Sequence, residues 1–214
     1  MKIKNSKIKK YRHLFLIAYL PIYLAAFFLA EKYITTDYWV SYIPFDDVIP
    51  FIDWFVIFYC LWYPFMIVTG LYLLLKDIPA FERYMWFIII GFTIGIAICI
   101  LFPNGQDLRP AEFERENIFT DLVSRLYEVD TNTNVLPSMH VIGTVAVAFA
   151  VFDSKYLKNV FVRTVTVILT VLICASTVFI KQHSILDVFA GLAISIIVWL
   201  IVYRSRLFRK DNPA

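Results

Sequence analysis

Two short polar clusters carry most of the residues able to do chemistry in this apolar chain: Pro137-Ser138-Met139-His140 and His183-Ser184-Ile185-Leu186-Asp187. Of the three histidines in the sequence, His140 and His183 stand where hydrophobic stretches begin. His183 and Asp187 are four residues apart, which on a helix puts them on one face and within reach of a hydrogen bond. A carboxylate bonded to one ring nitrogen fixes the tautomer and leaves the other nitrogen basic, which prepares a histidine nucleophile. The same spacing suits a plain helix start with an aspartate at the positive end of the dipole. On this motif alone both readings stand. Ser138 follows Pro137 as a candidate N-cap, and free N–H groups at a helix start suit phosphate. His140, in the first turn, is a candidate proton donor to a leaving oxygen. Arg109, in the run Phe102-Pro103-Asn104-Gly105-Gln106-Asp107-Leu108-Arg109-Pro110, offers a planar fork for phosphate oxygens. Lys181 adds a second cation two residues before His183, or snorkels to water.

These residues need elements to position them, and composition says what kind. Sixty per cent of the 214 residues are hydrophobic, and mean hydropathy is +0.71. A soluble domain of this size cannot hide so much apolar surface, so the expected fold is all-α and polytopic: six transmembrane helices in a bundle. The spans fall at 14–31, 53–75, 84–102, 139–157, 160–180 and 184–203, each near the roughly 20 residues that cross a bilayer. The first is too long for a cleaved signal peptide. Asp153 and Lys155 cut the fourth short. Prolines at 44, 50, 79, 103, 110 and 137 fall in connections, and Pro64 should kink the second span. Cys60, Cys99 and Cys174 lie inside apolar runs without paired spacing and read as small core residues.

Lysine and arginine divide 15 to 5 between the two sides, which sets both termini in the cytoplasm and the polar motifs outside, in a multi-pass plasma-membrane protein. The basic residues 1–13 then read as a topology signal and not a nucleic-acid arm. Trp39, Trp54, Trp86 and Trp199, with Tyr38, Tyr84 and Tyr203, should anchor span ends at the interface. Spans three, four and six all present their motifs on one side. Between the third span and the serine–histidine motif, residues 103–137 form a long extracytoplasmic loop. Within it Ile118, Phe119, Leu122, Val123, Leu126 and Tyr127 space an amphipathic helix, lying on the membrane or packed over the bundle.

The order Arg109-Pro110, then Pro137-Ser138-Met139-His140, then Gln182-His183-Ser184-Ile185-Leu186-Asp187-Val188, distributed over six spans, resembles the type 2 phosphatidic acid phosphatase (PAP2) superfamily of membrane lipid phosphatases and phosphotransferases. The resemblance covers about residues 53–203 of a single domain, 1–214. It implies that His183 attacks phosphorus and carries a phosphohistidine, that Asp187 orients it, and that His140 protonates the leaving group. Arg109 and Ser138 would hold phosphoryl oxygens, with Lys181 as a further phosphate-binding cation. It implies no metal and no cofactor, and a partner list of lipid phosphate substrate and membrane lipids without nucleic acid. The expected reaction is hydrolysis of a lipid phosphate or pyrophosphate at the outer face. Two departures stand out: Phe102 replaces the lysine of the first motif, and Ser176-Thr177 replaces the Ser-Arg of the third. The loss resembles the branch of inositol-phosphorylceramide and sphingomyelin synthases, so headgroup transfer to an alcohol is the alternative reaction. A small transporter is the alternative of another class, but the polar residues gather in one layer and none lines the middle of a span.

Overall fold

The structure is a computed structural model that describes residues 12–33, 37–205 and 208. The basic segment 1–11 therefore lies outside the described residues. Among the described residues seven α-helices follow one another: α1 (Tyr19–Tyr33), α2 (Val56–Lys76), α3 (Ile78–Leu101), α4 (Ile118–Val129), α5 (Met139–Asp153), α6 (Val160–Phe179) and α7 (Ile185–Trp199). A 3-10 turn, Arg12–Ala18, leads into α1, and a π-helical turn, Leu200–Arg204, extends α7. The helical stretches His13–Tyr33, Asp53–Lys76, Ile78–Leu101, Val160–Phe179 and Ile185–Arg204 are long and apolar enough to cross a membrane. The protein is an all-α polytopic membrane protein.

The sixth apolar helix, α5, is the short one, and its place explains why. Ten of its fifteen residues are buried, around the whole circumference, and it touches α2, α3, α6 and α7. A helix apolar on every side belongs inside a bundle. Gly143 lets α2 come close, since a Cβ there would stand 2.6 Å from the Met66 sulfur and 2.8 Å from Trp62 Nε1. The outer helices instead turn Leu24, Phe28, Ile67, Leu71, Val160, Phe161, Ile196 and Ile197 outward.

Two expectations are corrected at the end of the bundle where α2 turns into α3. The third span begins at Ile78 and not at 84, because Asp77 caps it by accepting the Ala80 N–H (3.4 Å) and Pro79 occupies the first turn, where its missing N–H loses nothing. Tyr84 is consequently a core residue and not an interfacial anchor: it is buried, with its hydroxyl on the Met66 carbonyl (3.1 Å). Asp77 also accepts the Ser154 hydroxyl (2.9 Å) and the Lys155 N–H (3.1 Å), and Arg83 pairs with Asp153 (2.6 Å). Of the charges that shorten α5, Asp153 thus has its partner on α3, while the Lys155 ammonium lies over the Tyr156 ring at 5.1 Å. Helix α2 runs unbroken through Pro64.

At the opposite end three loops are knitted together. Strand β1 (Trp39–Val40) pairs in parallel with β2 (Asn104–Gly105), Trp39 opposite Asn104, and Gly105 bridges to Thr133. The Asn104 side chain joins the Phe102 and Leu136 backbone, and Ser41 N–H reaches the Gly105 carbonyl (2.7 Å). The expected loop helix is α4, opened by Asn117, which accepts the Phe119 and Thr120 N–H groups. It packs over the bundle through Val123, against Phe55, Val56, Tyr59 and Ile180.

Candidate functional site

Helix α7 starts with a capping box. Ser184 accepts the Leu186 N–H (3.1 Å), and Asp187 Oδ2 accepts the Ser184 N–H (3.0 Å). The same Oδ2 accepts from His183 Nδ1 at 3.2 Å. The two readings of this motif are therefore one structure: the carboxylate that caps the helix also holds the imidazole. With Nδ1 engaged, Nε2 is the ring nitrogen left for other chemistry. Asp187 is fully buried, and its second oxygen accepts the Ser41 hydroxyl. Ser41 arrives on the continuation of β1, 146 residues earlier in the chain. Asp46, from the same loop, accepts the Ser184 hydroxyl (2.6 Å) and the Ile185 N–H (2.8 Å), clamping the start of α7 from outside.

His140, in the first turn of α5, faces His183 with ring centroids 6.2 Å apart. It is held between the rings of Tyr59 (4.0 Å) and Trp62 (4.3 Å), both on α2, and among the described residues its Nε2 has no hydrogen-bond partner. Ser138 occupies the N-cap position of α5 without a side-chain capping bond; among the described residues its buried hydroxyl is likewise unpartnered. Its N–H donates to the Asp187 carbonyl (3.1 Å), which ties the two helix starts together.

Sequence thus brings His183, Asp187, His140 and Ser138 to one place. The two cations differ. Arg109 directs its terminal nitrogens at the carbonyls of Tyr127 (3.1 Å) and Asp130 and at Gln182 Oε1 (2.7 Å), and its guanidinium lies over the Tyr127 ring at 4.1 Å. It adjoins the site through Gln182 and pins the loop after α4 to the loop before α7. Lys181 turns away: its ammonium binds the carbonyls of Asp46 (2.8 Å) and Ile49 (2.6 Å). Its backbone is in the left-handed region (φ 55°), as the turn ending α6 requires. At the two positions that depart from the resembled motifs, Phe102 packs tilted against Trp39 and Thr177 uses its hydroxyl on the Cys174 carbonyl, so neither supplies a cation.

A cavity of about 150 Å³ opens in front of both imidazoles, lined also by Tyr59, Trp62, Tyr63, Asp130, Asn134 and Gln182. Asp130 had no sequence signal. It leaves α4 at its C-cap, and its Oδ2 accepts the Tyr59 hydroxyl. Burial raises its carboxyl above the ordinary carboxylate value, while the Tyr59 hydroxyl and the nearby His183 pull the other way. Ser41, Asp46, Tyr59 and Trp62 were equally silent, since each is a lone polar or aromatic residue in a loop or span. At Tyr23, Leu24, Trp62 and Tyr63 the cavity adjoins a second hollow of about 320 Å³ between α1, α2 and α3, lined almost wholly by apolar side chains such as Leu20, Ile67, Leu71 and Phe92.

No curated protein and no solved structure matches this chain. A family model does, over residues 105–211, half of the sequence and the part containing Arg109, both histidine motifs and Asp130. The chain belongs to the PAP2 superfamily.

Proposed function

We propose that this protein cleaves a phosphoester bond of a membrane lipid through a phosphohistidine on His183. The observation that carries the reading is a cavity in which two imidazoles meet Asp130, Asn134 and Gln182, beside an apolar hollow that shares Tyr23, Leu24, Trp62 and Tyr63 with it. A headgroup fits the first and a hydrocarbon chain the second. Membership in a superfamily of phosphatases and phosphotransferases supports the reaction type.

Nε2 of His183 attacks phosphorus while Asp187, through Nδ1, steadies the positive charge that grows on the ring. The bond from phosphorus to the lipid oxygen breaks, and that oxygen takes a proton from protonated His140. Water then attacks the phosphohistidine, the N–P bond breaks, and the water's proton returns to His140. Ser138, with its free buried hydroxyl at the start of α5, is the donor best suited to a phosphoryl oxygen. Arg109 assists by fixing Gln182, next to His183, and Lys181 by fixing the outer loop. We further propose the outer membrane face for the site, from the 15-to-5 division of basic residues.

The test is to trap the intermediate. Enzyme in detergent is given lipid labelled at phosphorus and quenched in alkali, which preserves phosphohistidine. Label should appear on the protein and be lost in His183→Ala. Full labelling of that variant would overturn the assignment.

A further inference from the structure

The cavity facing the two imidazoles has an electrostatic character unlike a site for highly charged phosphate. Among the described residues no lysine or arginine lines it, and one carboxylate, Asp130, does. The two nearby cations spend their bonds outside the cavity: the terminal nitrogens of Arg109 on the Tyr127 and Asp130 carbonyls and Gln182, though its charge is felt by Asp130, and Lys181 on the Asp46 and Ile49 carbonyls. The carboxylate is held in place and not adrift. Its Oδ2 accepts the Tyr59 hydroxyl, its backbone carbonyl accepts from Arg109 and Gln182 (3.1 Å), and Tyr59 in turn stacks on His140 at 4.0 Å. When ionised, a carboxylate that lines the same cavity as His183 weighs against each negative charge that a substrate brings, and more strongly in a half-enclosed cavity than in water.

We propose that Asp130 is a specificity-determining residue: it excludes the doubly charged phosphate monoester and admits a singly charged phosphodiester, accepting a hydrogen bond from a hydroxyl or ammonium of the diester's headgroup. The proposal rests on the phosphohistidine reading. With a diester, His183 Nε2 bonds phosphorus, the bond to the lipid alcohol breaks, and His140 protonates the departing oxygen. The headgroup stays on phosphorus until water, or an acceptor alcohol, replaces the imidazole and returns a proton to His140. The same carboxylate that repels a second phosphate charge is an acceptor for the donors that such a headgroup carries.

Phosphatidic acid supplies the monoester, and phosphatidylethanolamine and phosphatidylglycerol of the same acyl chains supply diesters with an ammonium and a hydroxyl headgroup. All three release diacylglycerol, so one readout serves. The wild type should show the higher kcat/KM on at least one diester. Asp130→Asn, which keeps an acceptor for Tyr59, should shift the monoester-to-diester ratio toward the monoester by about tenfold or more. A ratio unchanged by the substitution overturns the filter while leaving the phosphohistidine standing. Diacylglycerol from none of the three removes the reading and the filter with it. A second measurement needs no variant: a long-chain alkylphosphonate and its methyl ester compete against substrate at a pH where the former is doubly ionised. The methyl ester should inhibit the wild type more strongly, and tighter binding of the dianion overturns the proposal.

Discussion

Asp187→Asn isolates what the carboxylate does for His183. In the wild type Oδ2 receives the His183 Nδ1–H and the Ser184 N–H, and Oδ1 receives the Ser41 hydroxyl. Asparagine keeps one acceptor oxygen, which stays with the imidazole and Ser184. Its amide nitrogen then faces Ser41, whose hydroxyl can rotate to accept. The geometry survives and the negative charge goes. A hydrogen bond to a charged group contributes about 1.5–3 kcal/mol, and this one strengthens as the ring becomes cationic on bonding phosphorus. Turnover should therefore fall roughly ten- to a hundredfold, with a far smaller loss of thermal stability. Single-turnover labelling by lipid carrying labelled phosphorus, alongside a melting curve in detergent, separates the two. A labelling rate within about threefold of wild type would refute the claim that the carboxylate's charge assists the attack.

Ser41→Ala should leave a buried carboxylate oxygen without its donor and cost about 1–3 kcal/mol of stability, read by thermal unfolding in detergent; an unchanged midpoint would show that this hydroxyl adds nothing to the hold that Asp46 has on α7. Gly143→Ala forces a Cβ against Trp62 and Met66, so it should destabilise by about 1–3 kcal/mol and lower turnover by displacing the ring that holds His140. Lys181→Met removes two bonds to loop carbonyls and should reduce stability while leaving KM within about twofold; a large rise in KM would return the ammonium to the phosphate. Asp130 titrates above its ordinary value in the fold, so its contribution is present at low pH and lost as pH rises through the raised value. The wild-type melting temperature should then fall over that interval, above the ordinary carboxylate range. Asp130→Asn should flatten the fall, and parallel profiles would contradict it.

Much of this was legible from patterns with a fixed period or a short reach. The hydrophobic runs located every long span, and the i,i+4 step from His183 to Asp187 anticipated a bond that is present. The periodicity of residues 118–127 announced α4. What escaped was non-local. Ser41 meets Asp187 across 146 residues, and Tyr59 meets Asp130 across 71, through loop geometry that no spacing encodes. The start of α3 was misplaced because hydropathy sees Glu82 and Arg83 as a boundary, whereas Asp77 and Pro79 set the real one. Arg109 and Lys181 were legible as cations, but a sequence cannot show that backbone carbonyls already occupy them.

The clamp from the loop before α2 onto α7 has a consequence for the order of folding. Ser41 and Asp46 precede α2, and the groups they grip, Asp187, Ser184 and Ile185, lie 138 to 146 residues further along the chain. Contacts of such reach form only once the intervening helices have docked, because the entropy of closing so long a loop has to be overcome first. The support of the His183 imidazole is thus a product of tertiary assembly and not of any one helix, and a loosened bundle would lose it before it lost its helices.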